Sequence, residues 1–168
     1  MDGHKQQDGF SLIELLIVVA IIGIISAIAI PNLIASRRAS NEASALAAMR
    51  ILSSSEVTYQ STAGAGSFGD LAALRTQGMI DSVVGAATIG SGTPKTGYLF
   101  SAANIIGAGV PAFDAAAQPS LHSNSSAVYG TGSRSFFINE AGTMYYNLTA
   151  TAPICSATTR TVTGIPLN

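Results

Sequence analysis

One acidic residue, Glu14, stands inside the most apolar stretch of this chain. The residues from Leu12 to Ile30 read LIELLIVVAIIGIISAIAI, and Glu14 is the only ionisable residue among them. A carboxylate in hydrocarbon costs roughly 3 kcal/mol, so an acid at such a position needs a partner or a polar boundary. Two interpretations stay open. Glu14 has a functional partner, or it lies near enough to the helix end to reach lipid headgroups.

Residues that could carry catalysis or bind a metal are few beyond residue 61. The acids there are Asp70, Asp81, Asp114 and Glu140. A hydrolytic site could be drawn from His122, Asp114 and a serine, but the sequence has no nucleophile-elbow motif. The tail after residue 140 is too poor in acids for a calcium site. We therefore expect no enzyme, no catalytic residues, no cofactor and no metal, and we interpret His122 as a solvated loop residue.

Charge and cysteine content limit the remaining classes of function. The chain has eight Lys plus Arg and nine Asp plus Glu, for a net charge of −1. The basic residues are scattered, so no nucleic-acid partner is predicted directly. Cys155 is the single cysteine, which makes an internal disulfide impossible. It is interpreted as a small buried hydrophobe, with an intersubunit disulfide as the alternative.

The apolar stretch is long enough to cross a membrane. At 1.5 Å per residue it extends roughly 28 Å, close to the hydrocarbon thickness of a bilayer. A secretory signal has a shorter apolar region followed by a small-residue cleavage site, whereas Pro31-Asn32-Leu33 follows here. We therefore predict a membrane span. Arg37 and Arg38 follow the span, so an outward orientation of that end would run against the positive-inside rule.

Residues 9–40 read GFSLIELLIVVAIIGIISAIAIPNLIASRRAS. This segment resembles the N-terminal segment of type IV pilins and of type II secretion pseudopilins. The resemblance implies that a prepilin peptidase removes a leader, residues 1–9, by cutting after Gly9, and then methylates the new amino terminus of Phe10. It also implies that Glu14 recognises a neighbouring subunit during assembly. The leader is less basic than is usual in the family.

The chemistry of these residues agrees with that pattern. Cleavage leaves a positive amine on Phe10, and a filament could bring Glu14 of an adjacent subunit against it. Opposite charges attract more strongly in a low-dielectric core than in water, although desolvation offsets much of the gain. The pair would therefore set the register of assembly, because a subunit out of register buries both charges unpaired. Gly9 has no side chain, so a protease can grip the extended backbone closely.

The helical pattern continues past the apolar stretch, and we predict one helix over residues 10–61 with 10–34 in the membrane. Gly64 and Gly66 end it. Apolar positions at spacings of three and four predict a buried stripe: Leu46, Met49, Leu52 or Ser53, and Val57.

Two features inside this helix affect its geometry. Pro31 removes a backbone donor and predicts a kink or local melting, and related proteins carry a proline at the corresponding place. Gly23 and Ala27, four residues apart, either let helices approach closely or pair by chance in an Ala-rich run.

A connecting segment, residues 62–96, and a head, residues 97–168, follow the helix. The segment contains a predicted short helix at about 70–77, capped by Asp70 and ended by Gly78. Strand signals occur at 97–102, 110–116, 134–139 and 143–148, and the last two are joined through Gly142 at a positive backbone angle. Segments 83–96, 119–133 and 149–168 are predicted loops. The fold class is α+β: a long helix, half transmembrane and half amphipathic, packed against a small antiparallel sheet, as in pilins.

The resemblance to pilins therefore implies a structural subunit of a type IV pilus, a homopolymer that serves adhesion, motility or DNA uptake. Its partners would be the prepilin peptidase and a pilus or secretion assembly platform. It would reside in the inner membrane as a single-pass precursor and then in an extracellular filament. Two alternatives stay open: a pseudopilin in a periplasmic pseudopilus of type II secretion, and a membrane-anchored binding protein that never polymerises.

Overall fold

A computed structural model describes residues 9–105, 109–123, 130–156 and 158–167. The predicted leader therefore lies outside the described residues except for Gly9. The chain divides into two compact units, Met1–Ser36 and Arg37–Asn168. The first helix, α1, runs over Leu12–Ser61 and contributes to both.

The first unit is the apolar part of α1. This part of the helix is strongly apolar and none of it is buried, so the helix is long and apolar enough to cross a membrane. The helix begins at Leu12 rather than at residue 10. It continues through Pro31, so the predicted local melting is wrong, because one lost hydrogen bond does not end a helix that is propagated on both sides. The predicted kink stays a prediction.

In the second unit, α1 buries one stripe of side chains. Its members are Glu42, Ala45, Ala48, Met49, Leu52, Ser55 and Glu56. The buried stripe was predicted, but its end was wrong. Val57 is 57% exposed, because one residue past Glu56 rotates a side chain by about 100° around the helix axis. Two acids therefore occupy positions that sequence periodicity assigns to apolar residues.

Two short helices follow α1. The predicted helix is confirmed as α2, Leu71–Thr76, and the Asp70 carboxylate accepts a hydrogen bond from the Ala73 N–H at 2.7 Å. A second helix, α3, covers Ser82–Ala86, so the prediction of a loop from residue 83 was wrong. Five residues are too few to show helical periodicity, which is why the sequence did not indicate α3.

The sheet is a five-stranded antiparallel meander in the order β1-β2-β3-β4-β5. Its strands are β1 Tyr98–Ile105, β2 Ala112–Pro119, β3 Ser135–Asn139, β4 Tyr145–Asn147 and β5 Ile165–Pro166. The meander was predicted with four strands, and β1 and β2 extend further along the chain than expected. The prediction that 149–168 is entirely loop was wrong, because β5 pairs with β4. Two residues, one of them proline, carry no strand signal.

One apolar core joins the strands to the buried stripe of α1. Tyr98, Phe100, Phe113 and Phe136 are fully buried in it together with Met49 and Leu52 of the helix. The Tyr98 hydroxyl donates to the carbonyl of Arg134 at 2.7 Å, which satisfies its polar atom within the core. A positive φ of 75° at Gly142 makes the β3–β4 turn, as predicted. These elements confirm the predicted α+β, pilin-like architecture.

Candidate processing and assembly site

The predicted cleavage site precedes the first helix. Gly9 and Phe10 are outside regular secondary structure, and the Phe10 side chain is 81% exposed. A Cβ added to Gly9 would meet no atom within 4 Å. The chain itself therefore does not require glycine here, and any requirement would come from the enzyme that reads the site. A peptidase could reach this bond without unwinding α1.

Glu14 caps its own helix. Its Oε2 accepts a hydrogen bond from the Ser11 N–H at 3.1 Å, and its own N–H donates to the Ser11 carbonyl at 3.1 Å. This is the glutamate half of a capping box, in which an acid three residues after the cap satisfies an unpaired backbone donor. The Ser11-x-x-Glu14 spacing could have revealed it, but Glu14 was interpreted only as an intersubunit contact or as a residue near the lipid headgroups. The carboxylate therefore points toward the end of the helix that carries Phe10.

The apolar side chains that follow Glu14 have no cover within one subunit. Every large apolar residue from Leu12 to Ile30 is 47% exposed or more. Burying this much apolar surface is strongly favourable, at about 25 cal/mol per Å², so the segment needs lipid or other protein around it. A Cβ added to Gly23 would meet no atom within 4 Å. Its predicted role with Ala27 in helix packing therefore stays a prediction.

Residues 4–30 match the family model described as a prokaryotic N-terminal methylation motif. The chain is also 55% identical over 38 residues to the type IV wide pilus major component PilA4 of Thermus thermophilus. The N-terminal segment of this chain is therefore similar to that of a type IV pilin. That match covers 23% of this chain and 29% of the relative, so the chain spans less than a third of the relative's length. No solved structure gives a significant match.

Within the second unit, the head is joined to α1 by a buried carboxylate that sequence reasoning missed. Glu42 is 5% exposed. Its Oε1 accepts from the N–H and the hydroxyl of Ser133, both at 2.8 Å, and its Oε2 accepts from Nε of Arg134 at 2.8 Å. Burial alone would raise the pKa of Glu42, but these hydrogen bonds and the Arg134 charge lower it below its usual value.

An ion-pair cluster holds the C-terminal tail of the head to its sheet. Arg160 donates from Nε to Oε1 of Glu140 at 2.8 Å and from Nη2 to Oδ1 of Asp114 at 2.7 Å. The two acids lie on β2 and just after β3, so one guanidinium joins the tail to both strands. No local sequence pattern indicates this cluster, because its three members are far apart along the chain.

The residues considered for chemistry in the head have separate partners. His122 is half-buried, and its Nε2 lies 3.2 Å from the Ser133 carbonyl, so the interpretation of a solvated residue was wrong. Asp114 is held by Arg160. Cys155 is half-buried rather than buried, and desolvation raises the pKa of its thiol. Among the described ranges, no group of three His, Cys, Asp or Glu side chains could hold a metal.

Proposed function

We propose that this chain is a structural subunit of a type IV pilus filament that polymerises through α1. The observation that carries the proposal is the uncovered apolar helix, which begins directly after an exposed Gly9–Phe10 site and holds Glu14 at its first turn. Lipid would cover the helix before assembly, and copies of the same helix would cover it afterwards. Glu14 would then bind the amine of Phe10 in a neighbouring subunit, either in place of the Ser11 N–H or together with it.

The processing and location follow from the same segment. A prepilin peptidase would cut after Gly9 and methylate Phe10, and an assembly platform would extract the subunit from the inner membrane into an extracellular filament. The chain itself would perform no catalysis. The matched relative is named as the major component of a wide pilus, which supports a pilus over a type II secretion pseudopilus.

The decisive experiment joins electron microscopy of sheared surface material from the native host with intact mass measurement of the subunit. We expect extracellular filaments whose subunit starts at methylated Phe10. A processed subunit confined to periplasmic fibres would indicate a pseudopilus. A subunit that starts at Met1 and forms no fibres would overturn the proposal and favour a membrane-anchored binding protein.

A further inference from the structure

A second buried acid of α1, Glu56, is poorly satisfied. Its side chain is fully buried, at 0% exposure. Its Oε2 accepts one hydrogen bond, from the N–H of Gly69 at 2.9 Å. Its Oε1 is buried and has no hydrogen-bond partner among the described residues. One hydrogen bond replaces only a small part of the hydration free energy that an ionised carboxylate loses on burial.

The partner of Glu56 belongs to the chain that links α1 to α2, residues 62–70. This linker folds back over the end of α1: a Cβ added to Gly69 would lie 3.3 Å from the ring of Tyr59. Phe68, beside Gly69, is 6% exposed and packs in the core, with its ring centroid 4.9 Å from that of Phe113. The linker is therefore held at two adjacent residues: Gly69 donates a hydrogen bond to Glu56, and Phe68 packs in the apolar core.

The charges around Glu56 oppose its ionisation. Burial raises the pKa of its carboxyl, the Gly69 hydrogen bond offsets part of that rise, and the negative charge of Asp70 adds to it, so that the pKa is about 7. Asp70 is the titratable group that faces it from the linker. On α1 itself, the residues three and four positions away are uncharged: Leu52, Ser53, Tyr59 and Gln60. The described residues place no cation against this carboxyl.

We propose that Glu56 is a proton-operated latch, which holds the 62–70 linker on α1 when protonated and loosens it when ionised. A neutral carboxyl still accepts the Gly69 N–H through its carbonyl oxygen, and its burial costs much less than that of a charge. Once ionised, the group gains hydration by leaving the core. Leaving breaks the Gly69 contact and exposes the linker next to Phe68.

Hydrogen exchange of the full chain in detergent micelles tests the latch directly. The readout is the protection factor of the amides of residues 67–70, corrected for intrinsic exchange at each pH. With a pKa of about 7 when docked and 4.5 when released, we expect protection to fall on the order of 30-fold between pH 5.5 and 8.5. Unchanged protection over that range would overturn the proposal.

Three variants separate the latch from general effects of pH. Glu56→Gln should keep the linker protected at both pH values, because glutamine accepts the Gly69 N–H without a charge. Asp70→Asn keeps a capping side chain on α2 but removes the opposing charge, so the pH midpoint should move down. Glu42→Gln removes the other buried acid of α1, and its linker protection should fall with pH as much as that of the wild type. The latch would be contradicted if linker protection in Glu56→Gln fell with pH as it does in wild type. It would also be contradicted if the pH midpoint of that fall were unchanged in Asp70→Asn.

Discussion

Glu42 and Glu56 lie on the same buried stripe of α1, and their carboxylates have opposite environments. Glu42 receives three hydrogen bonds, from the backbone and hydroxyl of Ser133 and from Arg134. Glu56 receives one, from Gly69. The pKa of Glu42 is therefore lowered and that of Glu56 is raised to about 7. The same helix face thus carries one acid that stabilises the head when ionised and one that destabilises it.

Replacing Glu42 by alanine should destabilise the head. The change leaves the two Ser133 donors and the Arg134 charge without the Glu42 carboxylate, which we expect to lower the free energy of unfolding by about 2 to 3 kcal/mol. Glu42→Gln should cost about half as much, because the amide oxygen still accepts from Ser133. Denaturant titration of the micelle-bound chain measures both. Equal stability of Glu42→Ala and wild type would show that the Ser133 contacts contribute nothing net.

The head should be most stable in mildly acidic solution. Glu42 and Glu140 have lowered pKa values, so their contribution is present above about pH 4.5 and is lost as the pH falls below it. Glu56 has a raised pKa, so stability is also lost as the pH rises from 4.5 to about 7. The free energy of unfolding, measured from pH 3 to 9, should therefore peak at roughly pH 5.

The same pH series tests whether Glu56 causes the loss of stability above pH 5. At pH 8, Glu56→Gln should raise the free energy of unfolding by about 3 kcal/mol, because it removes the cost of an ionised buried acid. At pH 4.5 the variant and wild type should be nearly equal. A stability that rises steadily from pH 5 to 8 in the wild type would show that ionisation of Glu56 costs the fold nothing.

Arg160 should hold the C-terminal tail to the sheet. Arg160→Met leaves Asp114 and Glu140 near each other without their shared cation, so we expect the free energy of unfolding to fall by about 2 kcal/mol at pH 7. Amides of residues 158–163 should lose exchange protection first. Lys95→Met removes the more exposed ion pair with Asp81 and should leave stability nearly unchanged. Equal effects of the two variants would argue against a special role for Arg160.

At the N-terminus, Glu14→Gln should separate helix capping from assembly. Glutamine also completes a capping box, so α1 should form and enter the membrane as before. The charge that would pair with the Phe10 amine is absent, and filament yield should fall at least about tenfold, since one lost charged contact per subunit is worth about 1.4 kcal/mol or more. Counting filaments by electron microscopy and measuring subunit in the membrane fraction checks both parts. Normal filaments would refute the role of Glu14 in assembly.

Features that depend on local patterns could be predicted from the sequence. The apolar run, the Asp70 cap, the Gly142 turn and the aromatic strands each follow from residues close together along the chain, and the structure confirms them. The N-terminal segment was recognised in the same way, because its motif is contiguous. The Ser11–Glu14 capping box was equally local and was missed only because Glu14 was read for its charge.

Tertiary structure alone decided the state of the buried charges. Glu42 meets Ser133 and Arg134, and Arg160 meets Asp114, across long separations in the chain. Periodicity assigned a buried stripe to α1 and put Val57 at its end, but it could not indicate that Glu56 would be buried there instead. Burial of a carboxylate depends on which donors the rest of the fold brings to it, and those donors come from segments that no local pattern connects.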